Sequence, residues 1–450
     1  MSPAIDRRHF LRAVAALPTL SIPAALFAQD ATSGGATSKP TSRPTSQPTS
    51  QPTSQPTSQP TTQQRIQEYI RFERTRLAAI EQAWGALPRE RVKPAPEYER
   101  ELGDVLFAQR SLELADRFRP LVSALPKYSR VIVIAPPNAD GKEWGAALRE
   151  AYGRPINVVP APGSRVLEVW AQDATEPITV GTRRTLLFPI FYRYADGLRR
   201  NDSRQRRSNL DAISQILNQS PIGPAVVAPF YFHGGDIAFD RVGRGVTLFT
   251  SEDPIAHTQR YYRHIVGKRP ERKAILGLMA GAFGVDRVEL LTQHESRRYT
   301  LHNDQLFTLL PGRKALVATI GPAKKSDPAV DPTAVDPKAV DPKEMEFELA
   351  RSQYARERLD ALGYDTLELE VTRTQFLRGQ NPVNSVVWRH RETSEYALWM
   401  PTWAEMTPEE KAAQARNVEK IEGGGLAVKT IEDRFFTAGG NLHCVLNALS

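Results

Sequence analysis

Cysteine is almost missing from this chain of 450 residues: there is one, Cys444. A single thiol excludes any disulfide within the chain. Long unbroken apolar runs are missing as well. The mildly apolar stretch that ends at Ala28 is interrupted by Pro18 and Pro23, which leaves it too short and too broken for a good membrane span. Aromatic residues are absent from the densest basic run, "GLRRNDSRQRRSNL" at 197–210. Without interleaved aromatics that run reads as a solvated loop or helix face, and no nucleic-acid partner is expected. The rest of the formal net charge of +8 is spread along the chain. What is present, 40% hydrophobic residues and six Trp, suffices for a globular body with one large core or more than one.

The first residues read as an address. In "IDRRHFLRAVAALPTLSIPAALFAQD" the pair Arg7-Arg8 precedes Phe10-Leu11 and the apolar stretch. This looks like a twin-arginine export signal over residues 1–28, with a periplasmic or extracellular destination and no transmembrane segment in the mature protein. Residues 29–64 contain "TSKPTSRPTSQPTSQPTSQPTSQPTTQQ", with a Pro at every fourth position. Such a segment buries no core and is expected to be a disordered linker. Residues 65–125 show apolar positions at helical spacing and are expected to form a helical N-terminal segment. From residue 126 to 450, short β-rich runs such as "RVIVIAP", "ALVATIG" and "NSVVWRH" alternate with helical stretches. That alternation predicts an α/β domain, with a disordered Asp-Pro-rich insertion at about 322–345. In an exported protein a lone Cys is either a buried small hydrophobe or a reactive thiol.

Four polar islands end apolar runs, where chemistry is commonly placed. They are "VWAQDATEPI" (169–178), "FHGGDIAFD" (232–240), "LHNDQLF" (301–307) and "GGNLHCVLNA" (439–448). Singly, each has a plain structural reading as a turn, a hairpin or a hydrogen-bonded pair.

In this order they resemble the guanidine-modifying pentein superfamily, in particular the agmatine and peptidylarginine deiminases. The resemblance rests on Trp170-Ala171-Gln172-Asp173, Gly234-Gly235-Asp236, His302-Asn303-Asp304 and Gly439-Gly440-Asn441-Leu442-His443-Cys444. It implies a pentein fold: a five-bladed, pseudo-symmetric α/β propeller of ββαβ units, here carrying an N-terminal helical extension. It also implies a hydrolase that removes ammonia from a guanidino group, exported if the N-terminal signal is read as above. The substrate would be agmatine, another arginine derivative, or the arginine side chain of a peptide. No cofactor is expected; Gln172 and Glu176 match positions that help bind calcium in peptidylarginine deiminases, so calcium is kept as an open question.

The chemistry explains the residue types. A guanidinium carbon is delocalised and cationic, and a thiolate attacks it better than water while splitting one hard step into two. Cys444 takes that role. Asp173 and Asp304 accept paired N–H bonds and fix the plane of the cation; Trp170 and Gly440 line the substrate. His302 moves protons, first to departing ammonia and then from the hydrolytic water. His443 is expected to face away from Cys444, because neighbours on an extended segment point to opposite sides. One position departs from the pattern: agmatine and arginine deiminases usually carry an acidic residue before the Gly-Gly, and here it is His233. Asp236 would supply the missing charge if its turn points inward. An amidinotransferase, in which an amine replaces water, and a guanidino-binding pentein without catalysis are the alternative readings. A metal site made of His302, Asp304, His443 and Cys444 does not follow a recognised zinc spacing.

Overall fold

The computed structural model describes residues 61–85, 92–136, 139–160, 175–190, 225–243, 245–293, 302–320, 342–435 and 441–448. The export signal, residues 29–60 of the repeat linker, the basic run, residues 322–341 of the Asp-Pro insertion and Trp170, Gln172 and Asp173 of the first island lie outside these residues, as do Gly439 and Gly440; residues 62–64 and 342–345, read from sequence as the ends of the linker and the insertion, belong to helices. The chain divides into two units, Met1–Phe72 and Glu73–Ser450, with the boundary inside helix α1 (Thr62–Gly85). The described part of the first unit is the start of that helix. Helix α1 runs without Pro or internal Gly, and in the second unit Leu77, Ile80 and Trp84 are buried at the spacing of one helical face.

Five separate sheets form the described strands of the second unit. Strand β1 (Val92–Pro94) lies antiparallel to β5 (Glu176–Val180), which pairs with β6 (Arg183–Phe188), and β7 (Ala225–Val227) runs parallel to β6. In the next sheet β8 (Ala238–Val242) and β9 (Gly245–Thr250) form an antiparallel pair; helices α4 (Asp253–Ile265) and α5 (Arg272–Phe283) then lead to β10 (Arg287–Leu290), parallel to β9. The third repeats the plan with β11 (Phe307–Leu310), β12 (Lys314–Ile320), α6 (Pro342–Ala361) and β13 (Asp365–Val371). The fourth repeats it with β14 (Val386–Arg389), β15 (Tyr396–Thr402), α7 (Pro408–Gly423) and β16 (Ala427–Glu432). In the second, third and fourth sheets the parallel step needs a crossover, and helices supply it. Helix α7 starts where a helix should: Thr407 and Glu410 cap each other's backbone N–H and Pro408 takes the first turn.

The fifth sheet draws on distant parts of the chain. Strand β2 (Asp104–Ala108) is parallel to β3 (Arg130–Ala135), which is parallel to β4 (Ile156–Pro160), with α2 (Ala115–Ala124) and α3 (Gly141–Tyr152) as crossovers. The outer antiparallel partner of β2 is β17 (Asn447–Ala448), in the register Asn447↔Leu106 and Ala448↔Val105. The segment around Cys444 is therefore docked. Leu442, Val445 and Leu446 sit in the same core cluster as Phe107, Phe118, Trp388 and Trp399. Burying each such aliphatic side chain contributes roughly 1.5–3 kcal/mol.

One expectation needs correction. Residues 92–125, read from sequence as helical, supply two strands as well as α2. The run "DVLFA" of β2 is buried at four consecutive positions, and an apolar run buried on both faces shows no alternation by which to tell strand from helix. Among the described residues no helix is long and apolar enough to cross a membrane.

Candidate active site

The polar islands occupy matching places in the repeated unit. The 3₁₀ turn Gly234–Asp236 leads into β8, the 3₁₀ turn Asn303–Gln305 leads into β11, and the short helix α8 (Leu442–Val445) leads into β17. A fourth segment, Asn381 to Asn384, leads into β14. Side chains from these lead-in segments converge.

Asp304 is the meeting point. Its Oδ2 accepts from the thiol of Cys444 at 3.3 Å and from His443 Nδ1 at 2.9 Å. Its other oxygen, Oδ1, is buried with no hydrogen-bond partner among the described residues. Burial pushes the Asp304 carboxyl up, but the bond and charge of His443, the charge of His302 and the Cys444 bond outweigh it and hold the pKa below its ordinary value. His443 also reaches Glu97, with Nε2 2.5 Å from Oε1. Burial opposes a charged imidazole there; the Glu97 charge and the bonds to Asp304 and Glu97 prevail and raise its pKa to about 10. His443 is thus an imidazolium donating from both nitrogens at neutral pH. The expectation that it faces away from the site is corrected: residues 442–445 are a helical turn rather than an extended strand, and His443 and Cys444 share one Asp304 oxygen.

Amide side chains frame the sulfur. Gln305 Nε2 lies 3.5 Å and Asn384 Nδ2 3.4 Å from Cys444 Sγ. Asn384 also takes the His443 backbone N–H on Oδ1 at 2.8 Å and bonds the Asp304 carbonyl at 3.2 Å, tying three segments together. Asn381 Nδ2 holds Gln305 through its carbonyl at 2.6 Å. Cys444 is buried.

His302 stands across the Gly235 turn. A methyl at Gly235 would come within 2.9 Å of His302 Nδ1 and 3.1 Å of Asp304 Oδ2, so glycine is required for this close approach. His302 Nε2 lies 2.6 Å from His233 Nδ1, and His233 Nε2 meets the Tyr231 hydroxyl. Asp236 is buried; one donor atom from each of His233, Asp236 and His302 lies within 4.8 Å of the others. The 234–236 turn therefore points Asp236 inward. Burial raises the Asp236 pKa, with the charges of His302 and Arg351 acting against it.

The structure brings together Cys444, Asp304, His302, His233 and Asp236. Glu176 stands apart in its bonding: Oε1 is paired with Arg100, and burial, partly offset by Arg100, raises its pKa to about 7. Its other oxygen, Oε2, is buried with no hydrogen-bond partner among the described residues. Trp170, Gln172, Asp173 and Gly440 lie outside the described residues. Sequence reasoning missed Glu97, Gln305, Asn381 and Asn384. The last two had a signal, because "NPVNSVV" stands before its strand as "HNDQLF" does.

No protein-family model matches the sequence, and no curated protein does. Solved structures match over most of the chain. The agmatine deiminase of C. jejuni aligns at 16% identity over 79% of this chain and 95% of its own, with a TM-score of 0.53. A Cys-to-Ser variant of the C. jejuni enzyme with substrate bound aligns at 15% identity over 79% and 95%, with a TM-score of 0.54. A protein assigned as a peptidyl-arginine deiminase aligns at 16% identity over 79% and 98%, with a TM-score of 0.55. The chain shares the mixed α/β fold of these solved structures.

Proposed function

We propose that this chain is a deiminase of guanidino compounds that works through Cys444. The observation that carries the reading is the 3.3 Å contact of the Cys444 thiol with Asp304, whose buried second oxygen, Oδ1, is left with no partner among the described residues. A carboxylate with a buried bare oxygen is matched to a guanidinium N–H, and charge-assisted bonds of that kind fix position and plane. Asp173 would grip the opposite side of the cation. The five sheets would stand as five blades around this site, a reading supported by the described lead-in segments of β8, β11, β14 and β17, which supply it.

As the cationic substrate binds, the thiol proton passes to His302, and the sulfur lone pair forms a C–S bond to the guanidinium carbon. A C–N bond of the tetrahedral intermediate then breaks; its electron pair stays on nitrogen, His302 gives that nitrogen a proton, and ammonia departs. Water adds to the resulting thiouronium carbon, losing a proton to His302. The C–S bond breaks with its electron pair returning to Cys444; the proton of the new hydroxyl passes to that sulfur, His302 releases its proton to solvent, and a ureido product is left. The imidazolium of His443 keeps Asp304 ionised and oriented throughout. Positioning sulfur and carbon at attack distance supplies about 7–11 kcal/mol at best in systems of this kind.

The N-terminal twin-arginine pattern supports export of the folded enzyme. The reading is tested by assaying ammonia and ureido product from agmatine, arginine and an arginine-containing peptide, with and without calcium and with and without an added amine. Ammonia release in equal amount with ureido product is expected from at least one substrate. Transfer of the amidino group to the amine would replace the proposal with amidinotransfer, and tight binding of every substrate without ammonia would replace it with a binding protein.

A further inference from the structure

We propose that His233, Asp236 and His302 form a binding site for a late first-row divalent ion, with Zn²⁺ as its probe, and that filling it silences the enzyme. The second half rests on the deiminase reading, because it depends on His302 moving protons; the first half does not.

The donor set is the argument. Two imidazoles and a carboxylate, with one donor atom from each within 4.8 Å of the others, make the N₂O arrangement that suits zinc and its neighbours. Three protein ligands leave the fourth position of a tetrahedral ion open. The pair His233 Nδ1 and His302 Nε2 stands at 2.6 Å, so one proton must lie between two nitrogens that would otherwise oppose their lone pairs. A zinc ion could take the place of that proton. Bonds of about 2.0–2.1 Å to each nitrogen require a nitrogen separation of roughly 3.3 Å, an opening of well under 1 Å. His302 is the member of the three that is only partly buried, so it can supply the movement.

The surroundings already orient the ligands. The Tyr231 hydroxyl engages His233 Nε2, which leaves Nδ1 directed at His302 as the donor to an ion. Ser251 Oγ bonds Asp236 Oδ1 at 3.1 Å, fixing that carboxyl. Outer partners of this type hold the ring orientation and carboxylate rotamer in metal sites. The Cys444 sulfur is occupied with Asp304, Gln305 and Asn384 and belongs to a separate group. His233 thus gives this cluster a second imidazole beside His302 and Asp236.

The test is zinc titration of chelator-treated full-length protein against a chromophoric competitor, with X-ray absorption on the loaded protein. One zinc per chain is expected, with nitrogen and oxygen at about 2.0–2.1 Å and no sulfur at about 2.3 Å. Affinity should be unchanged in Cys444→Ser and at least about 100-fold weaker in His233→Gln and Asp236→Asn. Ammonia release, where present, should fall with zinc occupancy and return on chelation. A sulfur shell, or loss of binding in Cys444→Ser with retention in His233→Gln, would overturn the proposal. A protein that binds zinc as described and releases no ammonia would leave the site standing and remove only the deiminase reading.

Discussion

Cys444 gives its thiol hydrogen to Asp304 across 3.3 Å although 140 positions separate the two residues in the chain. The contact exists because β17 closes a sheet begun by β2, which carries the C-terminal segment back to the lead-in of β11. Cys444 and Asp304, the proposed nucleophile and cation anchor, thereby stand at the starts of strands in two different sheets.

Replacing Asp304 with Asn removes the negative charge proposed to receive the guanidinium while keeping the side chain's size. We expect kcat/KM for the preferred guanidino substrate to fall on the order of 100- to 1,000-fold, in the range seen when one preorganised electrostatic partner is lost. Steady-state kinetics measures it, with circular dichroism as the control for folding. A change below tenfold would remove Asp304 from the site.

The Glu97–His443 pair predicts a pH dependence. The folded pKa of His443 is raised from 6.5 to about 10. A raised pKa means that the pair's stabilisation is complete below the unfolded value and is lost as pH rises through the folded one. Wild-type stability and activity should therefore share an alkaline loss approaching pH 10. In Glu97→Gln the largest influence raising that pKa is gone, and the loss should move to lower pH. Thermal unfolding and kcat across the alkaline range check this together, and superimposable profiles for the two proteins would contradict it.

Gly235→Ala should strike the site without removing a functional group. Its new methyl would meet His302 Nδ1 at 2.9 Å and Asp304 Oδ2 at 3.1 Å. The two side chains must shift, and small misplacements cost heavily in reactions that depend on orientation. A drop in kcat of at least about 10-fold is expected, with little change in unfolding midpoint. Wild-type kcat would show that the close approach carries no weight.

Leu442→Ala tests whether the Cys444 segment is held by the core. Leu442 is 1% exposed within the cluster formed with Phe118, Trp399 and Val445. The substitution should destabilise the fold by about 2–5 kcal/mol, read from urea unfolding. A loss under about 0.5 kcal/mol would mean that the segment is not packed as described.

Much of the site was readable because chemistry clusters where strands begin. His302, Asp304 and Cys444 each stand in a polar island ahead of an apolar run, and that local contrast survives in a linear sequence. Glu97 left no such mark: its partner His443 lies 346 positions away, and nothing in "APEYERE" distinguishes one solvated acid from another. The direction of His443 is not legible in the sequence, because Leu442–Val445 form a helical turn and a turn of four residues is too short to show a period. Strand β2 was hidden by another cause, a run buried on both faces. Asn384 was visible in principle, by its place before β14, once the repeated unit was known.

The central claim is that Cys444 is the nucleophile. The most direct measurement is ammonia release by Cys444→Ser against wild type, both on the guanidino substrate that wild type turns over best. A hydroxyl in place of the thiol keeps the size and loses the ionisable nucleophile, so the account predicts release indistinguishable from the uncatalysed background. Turnover by Cys444→Ser within tenfold of wild type would contradict it.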